Sequence, residues 1–211
     1  MMKKILVADD HSVVRFGLKI IIKENFPGRE VHEAFNGKMV MEEMQQNKFE
    51  LLLLDLVMPD TDSGALMQWI TSHYPETKIL IVSMNPENLY GKRYLQLGAQ
   101  GYLKKVAEQD EMIRAIETVL NGKKYVSEEL TGLILEEASQ GKMLNPFDGL
   151  TSREFQIAVL LSKNHTLTQI SEGLKIHYTT ASTHKQRIYD KLKIEHPSQL
   201  IELAEIYRIA Y

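Results

Sequence analysis

Three aspartates, a serine and a lysine carry most of the chemistry available to this chain. Asp9 and Asp10 follow the apolar run ILVA, Asp55 follows LLLL, Ser83 closes ILIVS, and Lys105 closes GYLKK. Carboxylates brought together raise one another's pKa unless a cation is bound. An oxygen donor set with open positions suits Mg²⁺, which keeps several waters and favours phosphate-bearing partners. A carboxylate nucleophile beside Mg²⁺, with a hydroxyl and an ammonium to hold the moving oxygens, is a phosphoryl-accepting site. A strand-terminal Asp by itself is more often a helix cap or a turn residue. Only joint placement at one sheet edge would make these residues a site.

The elements that would place them there follow from the apolar patterning. Residues 1–121 alternate the runs KILVA, VHEA, LLLLD, KILIVS and GYLKK with helical patterns at about 12–25, 38–46, 65–73, 87–97 and 109–120. Five strand-helix units predict a parallel sheet with helices on both faces. ILVA, LLLL and ILIV have the unbroken apolar character of strands covered on both sides. In a flavodoxin-like strand order of 2-1-3-4-5, the crevice where ligands bind lies beyond strands 1 and 3, where Asp9, Asp10 and Asp55 emerge. Residues 122–147 read as a linker around one amphipathic helix at about 127–139. From 148 to 211 only helical patterns remain, starting at Thr151, Thr166, about His177 and Pro197, which predicts a second, all-α four-helix domain.

Composition narrows the classes. The 211 residues are 44% hydrophobic and 25% charged, enough for two modest globular domains. With no cysteine, a disulfide framework and a thiolate metal site are excluded, and a cytoplasmic location is expected. MMKKILVADD is interrupted by its acidic pair too early for a secretory segment. No stretch reaches the roughly 18 apolar residues of a membrane helix, so no membrane partner is expected. The net charge of −3 requires any nucleic-acid contact to come from a local patch. Such a patch exists: Lys185, Arg187, Lys191 and Lys193 crowd into one predicted helix.

Ala8-Asp9-Asp10-His11, LLLLDLVMP around Asp55, Ser83, and GAQGYLKK from Gly98 to Lys105 resemble the receiver domain of two-component response regulators over residues 3 to about 121. The resemblance implies that Asp55 accepts phosphate from a sensor histidine kinase. It further implies that Asp10, Asp55 and the main-chain carbonyl of Val57 bind Mg²⁺, with Asp9 acting through water, and that Ser83 and Lys105 contact the phosphoryl group. Tyr102 would be the switch residue, turning into space freed when the phosphoryl group draws Ser83 inward. Three departures stand out. Met84 replaces the small residue usual after Ser83, and PDTDSG has Ser63 where the family commonly has glycine, with Gly64 one later. Val57 and Asn85 flank the line of attack of hydrolytic water, and an apolar Val57 predicts slow self-dephosphorylation.

LTSRE at 150–154 is a capping box before an apolar run, and short helix, turn, longer helix is the helix-turn-helix layout. On the longer helix Ala181, Ile188 and Leu192 make a core stripe. Ser182, Thr183, Gln186 and Tyr189 are expected to face away from it, flanked by Lys185 and Arg187, offering hydrogen bonds to base edges and cations to phosphates. This tail, through LTSRE, Ile170-Ser171, Leu174, Ile176, TASTHKQRI at 180–188 and Lys191-Leu192, is similar to the LuxR-type DNA-binding domain of the NarL/FixJ subclass. The resemblance implies DNA contacts from Thr179, Thr180, Ser182, Thr183, His184, Lys185, Gln186 and Arg187. His165, His177, His184 and His196 lack paired metal spacing.

The expected function is a phosphorylation-activated transcription factor that pairs two recognition helices on double-stranded DNA as a homodimer. The receiver would catalyse only its own Mg²⁺-dependent phosphoryl transfer and dephosphorylation. A phosphatase would also use an Asp after an apolar strand, but typically with a second Asp two residues on, where this chain has Val57. A receiver-containing adaptor whose helical tail docks a protein is the alternative.

Overall fold

The computed structural model describes residues 3–139, 145–207 and 209. The chain divides into two compact units, residues 1–136 and 137–211.

In the first unit, strands β1 (Lys3–Ala8), β2 (Arg29–Ala34), β3 (Leu51–Leu54), β4 (Lys78–Ser83) and β5 (Gly101–Lys104) form a parallel sheet in the order β2-β1-β3-β4-β5. Helices α1 (Ser12–Asn25), α2 (Gly37–Gln46), α3 (Ser63–His73), α4 (Glu87–Gln96) and α5 (Gln109–Leu120) connect and follow them. Side chains alternate across a strand. Ile5, Val7, Leu51, Leu53, Leu80, Val82 and Leu103 accordingly form one core with Leu18 and Ile22 of α1 and Ala115, Ile116 and Val119 of α5. The intervening Leu6, Leu52, Leu54, Ile79 and Ile81 are buried on the opposite face. Covering on both sides is why four leucines in succession are tolerated in β3.

Register fixes the edge of the sheet. Ala8 pairs with Leu54, Leu54 with Ile81, and Ile81 with Tyr102. Asp9 and Asp55 therefore leave neighbouring strands at the same level, and the Asp55 N–H donates to the Ala8 carbonyl at 2.8 Å.

The loop carrying the PDTDSG departure is well determined by local bonds. Asp60 adopts a left-handed conformation with φ of 50°. The Asp62 carboxylate accepts the N–H groups of Gly64 and Ala65, so α3 starts at Ser63 rather than near 65. The Ser63 hydroxyl, where the family pattern expects glycine, is hydrogen-bonded at 2.7 Å to the Tyr94 hydroxyl of α4, in a buried position.

Helix α6 (Glu128–Ser139) begins within the first unit. In the second unit a short 3₁₀ turn, Pro146–Gly149, precedes α7 (Ser152–Ser162), α8 (Leu167–Gly173), α9 (Tyr178–Leu192) and α10 (Pro197–Ile206). The predicted capping box closes fully: the Thr151 hydroxyl accepts the Glu154 N–H and the Glu154 carboxylate accepts the Thr151 N–H. Thr166 and Gln169 form a second one at α8. Phe147, Ile157, Ala158, Ile170, Ala181, Ile188 and Ala204 are fully buried and make the core of this unit.

Candidate functional site

At the C-terminal edge of β1 and β3, the carboxylates of Asp9 and Asp55 are 2% and 3% exposed, and Asp10 beside them is partly buried. The Lys105 ammonium bridges the two buried carboxylates, 2.6 Å from Asp9 Oδ2 and 2.9 Å from Asp55 Oδ2. β5 can deliver it because its next residue is tied back to β4: the Lys105 N–H donates to the Ser83 carbonyl at 3.0 Å. Burial is the main reason the Asp55 carboxyl lies above the usual carboxylate range, with the Asp9 charge adding to it and Lys105 opposing it. Ser83 is buried one strand away, while Met84 beside it is 67% exposed. Val57 is half-buried just beyond Asp55.

His11 joins this cluster, a contact that its adjacency to the acid pair hinted at but spacing alone could not assign. Its N–H donates to Asp9 Oδ1 at 2.8 Å, and its Nδ1 lies 2.8 Å from Asp10 Oδ1 and 3.2 Å from Asp9 Oδ1. Arg15 supports the same turn from α1 by donating to the Asp9 carbonyl at 2.8 Å. One ligand atom from each of Asp9, Asp10, His11 and Asp55 falls within 4.8 Å of all the others. A close-set trio of carboxylates on a rigid sheet edge fits a hard divalent cation such as Mg²⁺.

Tyr102 is already inside. It is buried, its hydroxyl donates to the Asn85 carbonyl at 2.9 Å, and the Asn85 N–H donates to Ser83 Oγ at 3.1 Å. Burial raises its pKa and keeps the hydroxyl protonated.

On α9 the residues expected to meet DNA are mostly accessible. Thr179, Thr180, Ser182, Thr183, Gln186 and Arg187 are exposed, and His184 and Lys185 are half-buried. The Gln186 amide donates to Asp190 at 3.0 Å, and the Thr183 hydroxyl donates to the Thr179 carbonyl at 2.9 Å. Two expectations change. Tyr189, expected to face away from the core, is buried, because at 100° per residue it lies only about 60° from Leu192 around the helix. Lys185 sits over its ring, 5.3 Å from the centroid. Lys191, one of the basic cluster, pairs instead with the buried Glu154 at 2.6 Å, tying α9 to the start of α7.

Comparison with known proteins matches these two units in turn. Residues 5–117 match the response regulator receiver domain, and residues 148–204 match the bacterial regulatory proteins of the luxR family. The oxygen regulatory protein NreC of Staphylococcus aureus is 34% identical over 208 residues, covering 95% of this chain and 96% of that one. The chain is a LuxR-type response regulator. Among solved structures, the response regulator is similar to RcsB of Salmonella enterica serovar Typhimurium bound to promoter rprA in the presence of a phosphomimetic, at a TM-score of 0.60 and 22% identity, covering 96% of this chain and 98% of that one. A LuxR-family response regulator from Aurantimonas sp. SI85-9A1 aligns with 66% of this chain and 100% of its own at 26% identity and a TM-score of 0.58. Among the described residues of the response regulator, no helix is long and apolar enough to cross a membrane.

Proposed function

We propose that Asp55 is the phosphoacceptor and that its phosphorylation by a sensor histidine kinase converts the protein to a DNA-binding homodimer. The observation that carries this reading is the Lys105 ammonium held between two buried carboxylates of adjacent strand ends, with Ser83 one strand away. In the transfer, an Asp55 oxygen forms a bond to phosphorus as the phosphorus-nitrogen bond to the kinase imidazole breaks. Lys105 is positioned to follow the incoming charge, since it already touches the attacking carboxylate. Ser83 offers its hydroxyl to a second phosphoryl oxygen. Asp10, Asp55 and the main-chain carbonyl of Val57, with Asp9 through water, would hold Mg²⁺, which when bound neutralises charge on the transferring oxygens.

The apolar Val57 side chain offers no hydrogen bond to orient a hydrolytic water, which supports a long-lived phosphoryl group. In the second unit, the exposed hydroxyls and amide of α9 supply base-edge contacts, and Lys185 and Arg187 supply phosphate contacts. Double-stranded DNA as the partner is in keeping with the RcsB chains of the same fold, which are described as bound to promoter DNA and, in another structure, as dimers on DNA. A cytoplasmic location is in keeping with these partners.

The test is a titration with beryllofluoride and Mg²⁺ as phosphomimic, read by sedimentation and by genome-wide DNA selection. The expected result is a shift toward dimer together with enrichment of discrete two-half-site sequences. No change in either readout overturns the proposal.

A further inference from the structure

The segment just after α5 does not leave the receiver as a free linker. Tyr125 forms a one-residue parallel bridge to Gly101, with its N–H donating to the Gln100 carbonyl at 2.9 Å and its carbonyl accepting the Tyr102 N–H at 3.0 Å. It thus extends the sheet at the free edge of β5. A side chain at 101 would stand 2.8 Å from the Tyr125 carbonyl, so only glycine admits this approach. The Tyr125 hydroxyl donates to Glu111 of α5 at 3.1 Å.

Two residues on, the chain is fastened to α4. The Ser127 N–H donates to the buried Glu87 carboxylate at 3.0 Å, and Ser127 Oγ accepts the Leu130 N–H, capping α6. Leu130 is 1% exposed and fills the space above Gly91, where a Cβ would be 2.6 Å from Leu130 Cδ2. Asn88 donates to Glu129 at 3.2 Å. A cavity of about 280 Å³ lies between this segment and Tyr102, bounded also by Glu87, Lys104 and Glu111.

The first anchor point belongs to a chain of bonds that starts at Ser83, and the second lies next to it in sequence. Ser83 holds the Asn85 N–H, the Asn85 carbonyl holds the Tyr102 hydroxyl, and the Tyr102 N–H holds Tyr125. Glu87, which holds Ser127, is only two residues beyond Asn85. We infer that residues 125–130 are a strap that fastens the start of α6 to β5 and α4, and that the strap loosens when Asp55 carries a phosphoryl group. The physical reason is that a Ser83 hydroxyl drawn toward a phosphoryl oxygen carries with it the Oγ that accepts the Asn85 N–H, and so pulls on Asn85. Displacing Asn85 moves the first turn of α4, and with it the Glu87 carboxylate that anchors Ser127. This inference rests on Asp55 being the phosphoacceptor.

Hydrogen exchange of the full chain, with and without beryllofluoride and Mg²⁺, tests it. The phosphomimic is expected to slow exchange in the loops after Asp55 and Ser83 while speeding exchange of residues 125–130 about tenfold. Leu130→Ala is expected to give fast strap exchange without phosphomimic and little further increase with it, while the loops around Asp55 still respond. Glu87→Gln, which keeps the shape of the anchor but not its charge, is expected to fall between Leu130→Ala and the unaltered chain. If the phosphomimic protects the loops but leaves the strap exchange unchanged, the strap is overturned and the phosphoacceptor reading stands. If neither region responds, both fall.

Discussion

Lys105→Met isolates the electrostatics of the crevice from its chemistry. The ammonium is 7% exposed in its side chain and lies within 2.9 Å of two carboxylates that are nearly inaccessible to water. Removing one partner of a buried ion pair typically costs about 3–5 kcal/mol, because the remaining charge is left uncompensated. For a unit the size of residues 1–136 each kcal/mol moves the melting temperature by about 4 °C, so the first unit of the variant is expected to melt about 12–20 °C lower at pH 7. The pH dependence carries a sign. The folded-state pKa of Asp55 lies above its unfolded value, so the folded state binds more protons and stability falls as pH rises between the two. Without Lys105 that window widens upward, so the deficit is largest at neutral pH and shrinks on acidification. Lys105→Met with Asp55→Asn removes one of the stranded carboxylates and is expected to regain much of the loss. Differential scanning calorimetry of the unaltered chain, both single variants and the double variant, at pH 5 and pH 7, reads all of this. A deficit under about 1 kcal/mol at pH 7, far below what stranding a buried charge costs, would refute the reasoning. So would a deficit that does not change with pH.

Three other outcomes are expected. Tyr94→Phe strands the buried Ser63 hydroxyl and should cost about 1–3 kcal/mol in urea unfolding, whereas Tyr94→Phe with Ser63→Ala should recover most of it. Glu154 is held below the usual carboxylate range: burial alone would raise it, but the Lys191 ammonium and the Thr151 N–H outweigh that. Its contribution is therefore present above the unfolded pKa and is lost as pH falls through the lower folded value, and Lys191→Ala should flatten this acid sensitivity in thermal melts of the second unit. For DNA, Arg187→Ala should weaken binding evenly across sequences and reduce the salt dependence by about one unit of slope, whereas Gln186→Ala should change the selected sequence; equal effects of both on selectivity count against the assignment of α9.

The parts of this molecule that sequence makes visible are those written locally. An apolar run that stops at an aspartate marks both a doubly covered strand and the edge where it ends, and two such runs, at Asp9 and Asp55, were enough to find the crevice. The capping box at Thr151 is equally local and closes as read. What escaped are pairings that join distant segments without a periodic signature. Nothing in GKKYVSEEL announces that Tyr125 will bond to the backbone on both sides of Gly101, or that Glu87 waits for the Ser127 N–H. Lys191 reads as one more cation in a basic run, and only tertiary placement reveals that it answers Glu154. The start of α3 was displaced because the Asp62 cap lets the helix begin two residues before the apolar pattern does. Tyr189 differs in kind: the angle around the helix was available from the sequence and points it toward the core.

The register of the sheet makes each strand a ruler. Asp55 stands level with Asp9 because Leu54 pairs with Ala8, and it meets Lys105 because Leu54 also pairs with Ile81, and Ile81 with Tyr102. Deleting one leucine from β3 would leave hydropathy and composition almost untouched. It would also draw Asp55 back by about 3.3 Å and turn it to the other face of the sheet. The length of β3 is therefore constrained more tightly than its identity: an apolar residue of similar volume can replace one of its buried leucines, but none can be added or removed without taking Asp55 away from Asp9 and Lys105.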